Sequence, residues 1–99
     1  MSYTIAYQER ALADYEAIVS WYREKSERAA ENFEKEVTDK INTLRVQPEN
    51  FKKTYRRFHE AILKKYPYSI VYLINEKESC VIISSIFHHS RNPKKKYKR

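Results

Sequence analysis

The chain has 99 residues, of which 41% are hydrophobic and 14% aromatic, and it carries a formal net charge of +7. This length and apolar content predict one folded domain with a modest core, and they exclude a disordered polyelectrolyte. No stretch approaches the roughly 20 apolar residues of a membrane span, and the first residues do not read as a secretion signal. The single cysteine, Cys80, cannot form an internal disulfide, which is typical of a reducing compartment. We therefore expect a cytoplasmic protein that does not associate with membranes.

The charge is distributed unevenly along the chain. Residues 1–50 hold seven Lys/Arg against ten Asp/Glu, whereas residues 51–99 hold thirteen against three, a net charge of +10. Six of those cations lie in the last nine residues, where a mobile, solvated basic tail at 94–99 is the simplest interpretation. Six more lie before the tail, at Lys52, Lys53, Arg56, Arg57, Lys64 and Lys65. A basic half of this kind predicts a polyanionic partner, either a nucleic acid or an acidic protein segment.

Hydrophobic periodicity predicts a strand and then two helices. The segment "SYTIAY" alternates with the period of a half-buried strand. From about Glu9, a broad apolar stripe at helical spacing predicts the first helix, with Ala11, Leu12, Tyr15, Ile18, Val19, Trp21 and Tyr22. A second stripe follows at Ala30, Phe33, Val37, Ile41 and Leu44. Ser26 is the expected N-cap of the second helix, and Pro48 ends it. Because the connection is so short, the two helices should form an antiparallel hairpin.

The remainder of the chain predicts strands. The segments "YRRFHEAIL", "YSIVYLI" and "CVIISSIF" are rich in β-branched and aromatic residues, with breaks at Pro67 and at 75–79. The chain has no glycine, so longer loops are expected in place of tight two-residue turns. The predicted order is β-α-α-β-β-β. This is an α+β fold in which the helical hairpin packs on one face of a small, mostly antiparallel sheet.

Four segments, in this order, resemble the RelE/ParE superfamily of bacterial toxins. "ERALADYEAIVSWY" is similar to the first helix of that superfamily, and "AAENFEKEVTDKINTLRVQPENF" to the second helix with its following proline. "KKYPYSIVYLI" is similar to the strand pair with a Pro-Tyr turn, and "IFHHSRNP" to the closing strand. The resemblance spans nearly the whole chain. It implies a single toxin domain over residues 1–99 that needs no cofactor.

The superfamily has two branches with different activities. The RelE-like branch cuts messenger RNA on the ribosome without a metal, whereas the ParE-like branch is associated with DNA gyrase. The nuclease branch places lysines on the strand after the helices and an arginine at the start of the next strand, where this chain has Glu60, Ile62 and Ser69. One well-placed donor at a scissile phosphate is worth about 3–4 kcal/mol, and Glu60 has the wrong charge for that role. The resemblance therefore favours the ParE-like branch.

The favoured prediction is a ParE-like toxin of a type II toxin–antitoxin module. Such a toxin would inhibit growth by binding an essential target such as DNA gyrase, and a cognate antitoxin would neutralise it in a hetero-oligomer. One alternative is a RelE-like endoribonuclease that acts on ribosome-bound mRNA, and a second is a non-toxic, basic nucleic-acid-binding module. Binding to antitoxin or target is predicted for Trp21, Tyr22, Lys52, Lys53, Arg56, Arg57, Lys64, Arg91 and Tyr97. The nuclease alternative would use Arg57, His89, Arg91 and Tyr97.

Several of these residues also have ordinary structural interpretations. Trp21 and Tyr22 belong either to the core or to a groove for the antitoxin, and the sequence leaves both open. His88 and His89 are adjacent, so on a strand they should point to opposite faces. No metal site is predicted, because no Cys, Asp or Glu lies close to them in sequence.

Overall fold

A computed structural model, which describes residues 2–91, shows two helices packed on one face of a five-stranded sheet. The elements are β1 (Thr4–Tyr7), α1 (Glu9–Lys25), α2 (Glu27–Val46), a 3-10 turn (Pro48–Asn50), β2 (Lys52–Tyr55), β3 (Phe58–Ile62), β4 (Tyr68–Asn75) and β5 (Cys80–His88). The strand order is β1-β5-β4-β3-β2. The β1–β5 pair is parallel and the other pairs are antiparallel. The predicted fold class is confirmed, with one additional short strand, and no helix in the described range could span a membrane.

A single residue, Ser26, joins the two helices. Its hydroxyl accepts a hydrogen bond from the Ala29 N–H at 2.9 Å, which is the predicted N-cap of α2. Its own N–H donates to the carbonyl of Tyr22 at 3.0 Å, so the same residue closes the end of α1. Across this junction, Arg23 and Glu27 form an ion pair at 3.1 Å. The chain therefore reverses within one residue.

The core lies between the helical hairpin and the sheet. The helices contribute Ala11, Ile18, Val19, Ala30, Phe33, Val37, Ile41 and Leu44, and the sheet side contributes Ala61, Leu63, Ile70, Tyr72, Val81, Ile83 and Ile86. Phe33 is fully buried, with its ring centroid 5.2 to 6.2 Å from those of Tyr15, Tyr22, Tyr66 and Tyr68. Such aromatic pairs add about 0.5–1.5 kcal/mol each beyond their buried area. In contrast, Leu12 is 46% exposed and Trp21 54% exposed, so the apolar stripe of α1 is wider than its buried face.

The segment "YRRFHEAIL" is divided between two strands by a turn at Arg56 and Arg57. Tyr55 pairs directly with Phe58, and Arg56 lies at φ 53°. The left-handed region costs a residue other than glycine about 1–2 kcal/mol. Hairpin signals in a sequence depend on Gly or Asn at such positions, which explains why the sequence did not reveal this turn. Ser79, in the turn between β4 and β5, has a similar φ of 49°.

Tyr72 joins the centre of the sheet to the segment that follows α2. Its side chain is fully buried, and its hydroxyl donates to the carbonyl of Pro48 at 2.6 Å. The ring of His59 stacks on it at 5.3 Å, and His59 Nδ1 lies 3.1 Å from the carbonyl oxygen of Phe51. Burial raises the pKa of Tyr72 well above its usual range. This residue therefore fixes how the chain leaves α2 and enters the sheet.

Tyr72→Phe should lower the free energy of unfolding by about 1–3 kcal/mol at neutral pH, because a buried carbonyl loses its donor. An unfolded tyrosine ionises at about pH 10, while Tyr72 stays protonated in the folded protein. Above that pH, the free energy of unfolding of the wild type should fall by about 1.4 kcal/mol per pH unit because of this residue. The variant lacks this decrease, so the difference in the free energy of unfolding between the two proteins should become smaller. Urea unfolding at neutral and strongly alkaline pH measures both effects, with Tyr7→Phe on the exposed β1 as the control. A difference that is constant with pH would contradict this prediction.

Candidate functional site

The structure divides the predicted binding residues among three surfaces. Trp21, Tyr22 and Arg91 line a cleft between α1 and the ends of β4 and β5, which we call the α1–β5 cleft. Residues 52–57 form β2 and its turn, which we call the basic hairpin. Lys64 lies beyond the end of β3 and faces α2. Tyr97 lies outside the described residues. The sequence could not reveal this division, because it depends on the register of the sheet.

The α1–β5 cleft has a volume of about 420 Å³ and combines aromatic and cationic side chains. Trp21 contacts Tyr22 edge to face at 5.0 Å, and the Nζ atom of Lys25 lies 4.9 Å from the Trp21 ring. Arg91 and Tyr68 complete this side of the cleft. Burial raises the pKa of Tyr68, and the nearby Arg91 charge partly opposes that shift. A half-exposed tryptophan beside cations is typical of the centre of a protein interface.

Tyr22 and Trp21 have different roles, a question that the sequence left open. The Tyr22 ring stacks on Phe33 at 5.3 Å and meets the Tyr66 ring edge to face at 5.4 Å. Burial raises the pKa of Tyr22, as do the neighbouring Tyr68 and Tyr66. Tyr22 thus packs against the core, and Trp21 presents its ring to the cleft.

His88 and His89 point to opposite faces of the sheet. The His88 ring packs edge to face on Tyr68 at 4.9 Å, and its Nδ1 accepts the Ser90 N–H at 3.0 Å. With Nδ1 as the acceptor, a neutral ring carries its proton on Nε2. On the other face, His89 Nε2 lies 2.9 Å from the hydroxyl oxygen of Ser69. The two imidazoles cannot share one site, and within residues 2–91 no three His, Cys, Asp or Glu side chains are placed to hold a metal ion.

Beyond the end of β1, two side chains lie along the outer edge of β5, one from α1 and one from the residue before it. The short β1 pairs only with residues 80–83. Farther along β5, Asp14 Oδ2 accepts the Ile86 N–H at 3.1 Å, and Gln8 Oε1 accepts the Ser84 hydroxyl at 3.1 Å. This role of Asp14 could not be predicted, because nothing local in the sequence distinguishes it from a solvated carboxylate.

The sheet face that turns away from the helices carries the three positions at which the nuclease pattern requires cations. Glu60 pairs with Val71 and Ile62 with Ser69. Glu60 is 9% exposed, whereas Ile62 is 58% exposed. A small apolar cluster of Phe58, Val71 and Phe87 occupies the same face. The strands β3, β4 and β5 contain no lysine or arginine, so none of them supplies a cation to this face.

The structure does not bring the described nuclease candidates together. Arg57 lies beside Leu73 and Asn75, at one end of β4. His89 lies beside Ser69, at the other end. Four to six strand residues at about 3.4 Å each separate these ends by roughly 14–20 Å. Arg91 lies on the helical side, in the α1–β5 cleft. These three residues therefore do not form one catalytic site.

The third surface is a polar groove between α2 and the loop after β3. The carboxylate of Glu36 accepts the backbone N–H groups of both Lys64 and Lys65. This contact fixes the loop against α2. The two lysines line the groove together with Lys35 and Lys40.

Comparison with known proteins identifies the family of this chain. The family model of the ParE toxin of type II toxin–antitoxin systems (parDE) matches residues 5–93. The chain belongs to this family. None of the curated proteins matches it.

Solved structures of related modules share the fold of this ParE-family toxin. The chromosomal ParDE system of P. aeruginosa matches with a TM-score of 0.74 and 15% identity, over 88% of this chain and 96% of that one. The RelBE2 complex of Mycobacterium tuberculosis matches with a TM-score of 0.62 and 17% identity, over 89% of this chain and 99% of that one. The intact E. coli RelBE complex matches with a TM-score of 0.52 and 18% identity, over 91% of this chain and 100% of that one. Identities this low show a common fold, and the family match carries the assignment as a type II toxin.

Replacing Trp21 and Tyr22 separately should distinguish surface from core. Trp21→Ala should change the free energy of unfolding by less than about 1 kcal/mol, because the side chain is largely exposed. Tyr22→Ala should lower it by about 2–4 kcal/mol, because it removes the ring that packs on Phe33. Urea denaturation of the two purified variants provides the comparison. Equal losses would mean that Trp21 belongs to the core.

Proposed function

We propose that this toxin inhibits growth by binding an essential target such as DNA gyrase, without cleaving RNA. The observation that carries the proposal is the composition of the three central strands, which contain no lysine or arginine. In their place, the face that turns away from the helices presents Glu60 and Ile62. The match to the ParE family model over residues 5–93 supports the same conclusion.

Metal-free RNA cleavage makes three demands on a protein. A base must take the proton of the 2′-hydroxyl, cations must stabilise charge on the phosphate, and an acid must protonate the leaving oxygen. The imidazole of His89 has the chemistry of a base or an acid. Of the candidate cations within residues 2–91, Arg57 lies roughly 14–20 Å from it along the sheet, and Arg91 lies on the helical side, in the α1–β5 cleft. Glu60 stands where the nuclease pattern requires a cation and supplies no positive charge there.

The purified toxin should inhibit supercoiling by DNA gyrase and leave ribosome-bound messages intact. Parallel assays on the two targets measure this, and Arg28→Gln, which removes an exposed cation on α2 outside the three surfaces, is the control for loss of one cation. Trp21→Ala and Arg91→Ala should weaken the inhibition if the α1–β5 cleft contacts the target. Codon-linked cleavage with normal supercoiling would support the RelE-like alternative instead. Activity in neither assay would favour a non-toxic, basic nucleic-acid-binding module.

We further propose that a cognate antitoxin binds the helical hairpin and forms a hetero-oligomer with the toxin. The similar structures of P. aeruginosa, M. tuberculosis and E. coli are toxin–antitoxin systems. An apolar groove of about 260 Å³ runs beside α1 and is lined by Tyr7, Leu12, Tyr15, Ile41 and Arg45, among others. Tyr7 and Leu12 are 44% and 46% exposed. An amphipathic helix that carries acidic residues fits such a groove, with Arg45 as a pairing cation.

Leu12→Glu should weaken antitoxin binding at least tenfold, because it places a charge within an apolar contact. The protein encoded by the neighbouring gene, co-expressed and purified with the toxin, is the ligand, and calorimetry gives the affinity. Val46→Glu is the matched control, because Val46 is 60% exposed and does not line the groove. Unchanged affinity for Leu12→Glu, or an equal loss for both variants, would refute this location.

A further inference from the structure

The basic hairpin concentrates positive charge at one edge of the sheet. Residues 52–57, "KKTYRR", contain four cations and no acid, and all six residues are exposed. Across the strands, Lys52 pairs with Glu60, which is 9% exposed. The hairpin therefore projects a surface of net positive charge from the edge of the sheet.

Protection of the sheet edge explains only part of this surface. Charged residues on an outer strand prevent it from pairing with other molecules, and this role accounts for Lys52 and Lys53. It does not account for Arg56, because a turn residue does not take part in edge pairing. Glycine or asparagine at φ 53° would relieve the strained backbone. Strained backbone of this kind is concentrated at functional sites, which makes the Arg56 side chain a candidate for a functional role.

The Arg56 side chain is held in place by its neighbour. Its Nε donates to the hydroxyl of Tyr55 at 3.1 Å, and its Cζ lies 5.3 Å from the Tyr55 ring centroid. This contact uses Nε, and the two terminal amino groups carry further N–H donors that can bind two oxygens of one phosphate. The Tyr55 side chain is 45% exposed, so its ring can also stack on a base.

We propose that the basic hairpin binds the phosphate backbone of a nucleic acid, with Arg56 and Arg57 at the point of contact. Cations that alternate with an exposed aromatic ring are typical of nucleic-acid surfaces. This contact lies beyond the proposed function, because it requires neither gyrase nor an antitoxin. Its failure would leave both of those proposals intact.

Fluorescence anisotropy of the full-length toxin tests the proposal, with duplex DNA and single-stranded RNA of equal length at several salt concentrations. Arg56→Gly should weaken binding by about five- to tenfold, the loss of one charge-assisted contact. It should also make the negative slope of log K against log salt shallower by about one. The same change should raise the thermal midpoint by about 4 °C, because glycine relieves the backbone. Arg57→Gln, which leaves the turn intact, should reproduce the loss of binding without the gain in stability.

Ser79→Gly is the matched control. It relieves the other left-handed residue, at φ 49° in the β4–β5 turn, and removes no cation. It should raise the thermal midpoint and leave binding unchanged. Arg28→Gln, which removes an exposed cation on α2 outside the three surfaces, should leave the salt slope unchanged. A loss of binding in either control would overturn the assignment to Arg56.

Other outcomes would also overturn the proposal. One is unchanged binding by both Arg56→Gly and Arg57→Gln, with binding abolished when the cations at 94–99 are replaced by glutamine. Another is a polyglutamate peptide that binds as tightly as DNA and depends equally on Arg56, which would assign the hairpin to an acidic protein. Equal affinity for the DNA duplex and the RNA would support recognition of phosphates alone. A preference for one of them, lost in Arg56→Gly, would support the proposal and identify the ligand.

Discussion

The one-residue connection at Ser26 is the constraint on which the rest of this fold depends. It places two long helices side by side and antiparallel, and helices in contact pack about 8–10 Å apart. A pair of that width covers the middle strands of the sheet and leaves β1 and β2 at the margins, where both are largely exposed. Phe33 from above and Tyr72 from below fill the space under the pair. The surfaces available for partners lie where this cover ends, near Trp21 on one side and near Arg56 on the other.

The helical half of the fold could be predicted from the sequence because its signals are local. Residues 30–44 repeat at steps of three and four, and each apolar residue of that stripe is buried as predicted. The cap at Ser26 is likewise a contact between near neighbours. The β2–β3 turn could not be predicted, because arginine stands where the usual signal is glycine. The parallel pairing of β1 with β5 was also hidden, since no short-range pattern specifies a partner 76 residues away.

The candidate surfaces could be predicted only as a set of residue types. A count of charges identifies a basic half but cannot show that Lys64 belongs with α2 while Arg57 belongs with the turn. That grouping follows from the register of β3 against β4. Trp21 and Tyr22 illustrate the same difficulty on a helix, because neighbours in a broad stripe differ by 100° in direction, and only the packed structure shows which one meets Phe33. The difference from the nuclease pattern at Glu60, where that pattern has a lysine, could be recognised from the sequence alone. The sign of a residue's formal charge does not depend on geometry.

The pairing of β1 with β5 affects how the protein is made. Thr4 leaves the ribosome early, yet its partner Cys80 is among the last residues of the domain to be synthesised. Long-range pairing of this kind forms late, because the intervening chain must be ordered first. The helical hairpin is synthesised long before the strands that bury its apolar face. The finished sheet, and every surface that it frames, can therefore form only after β5 has been synthesised.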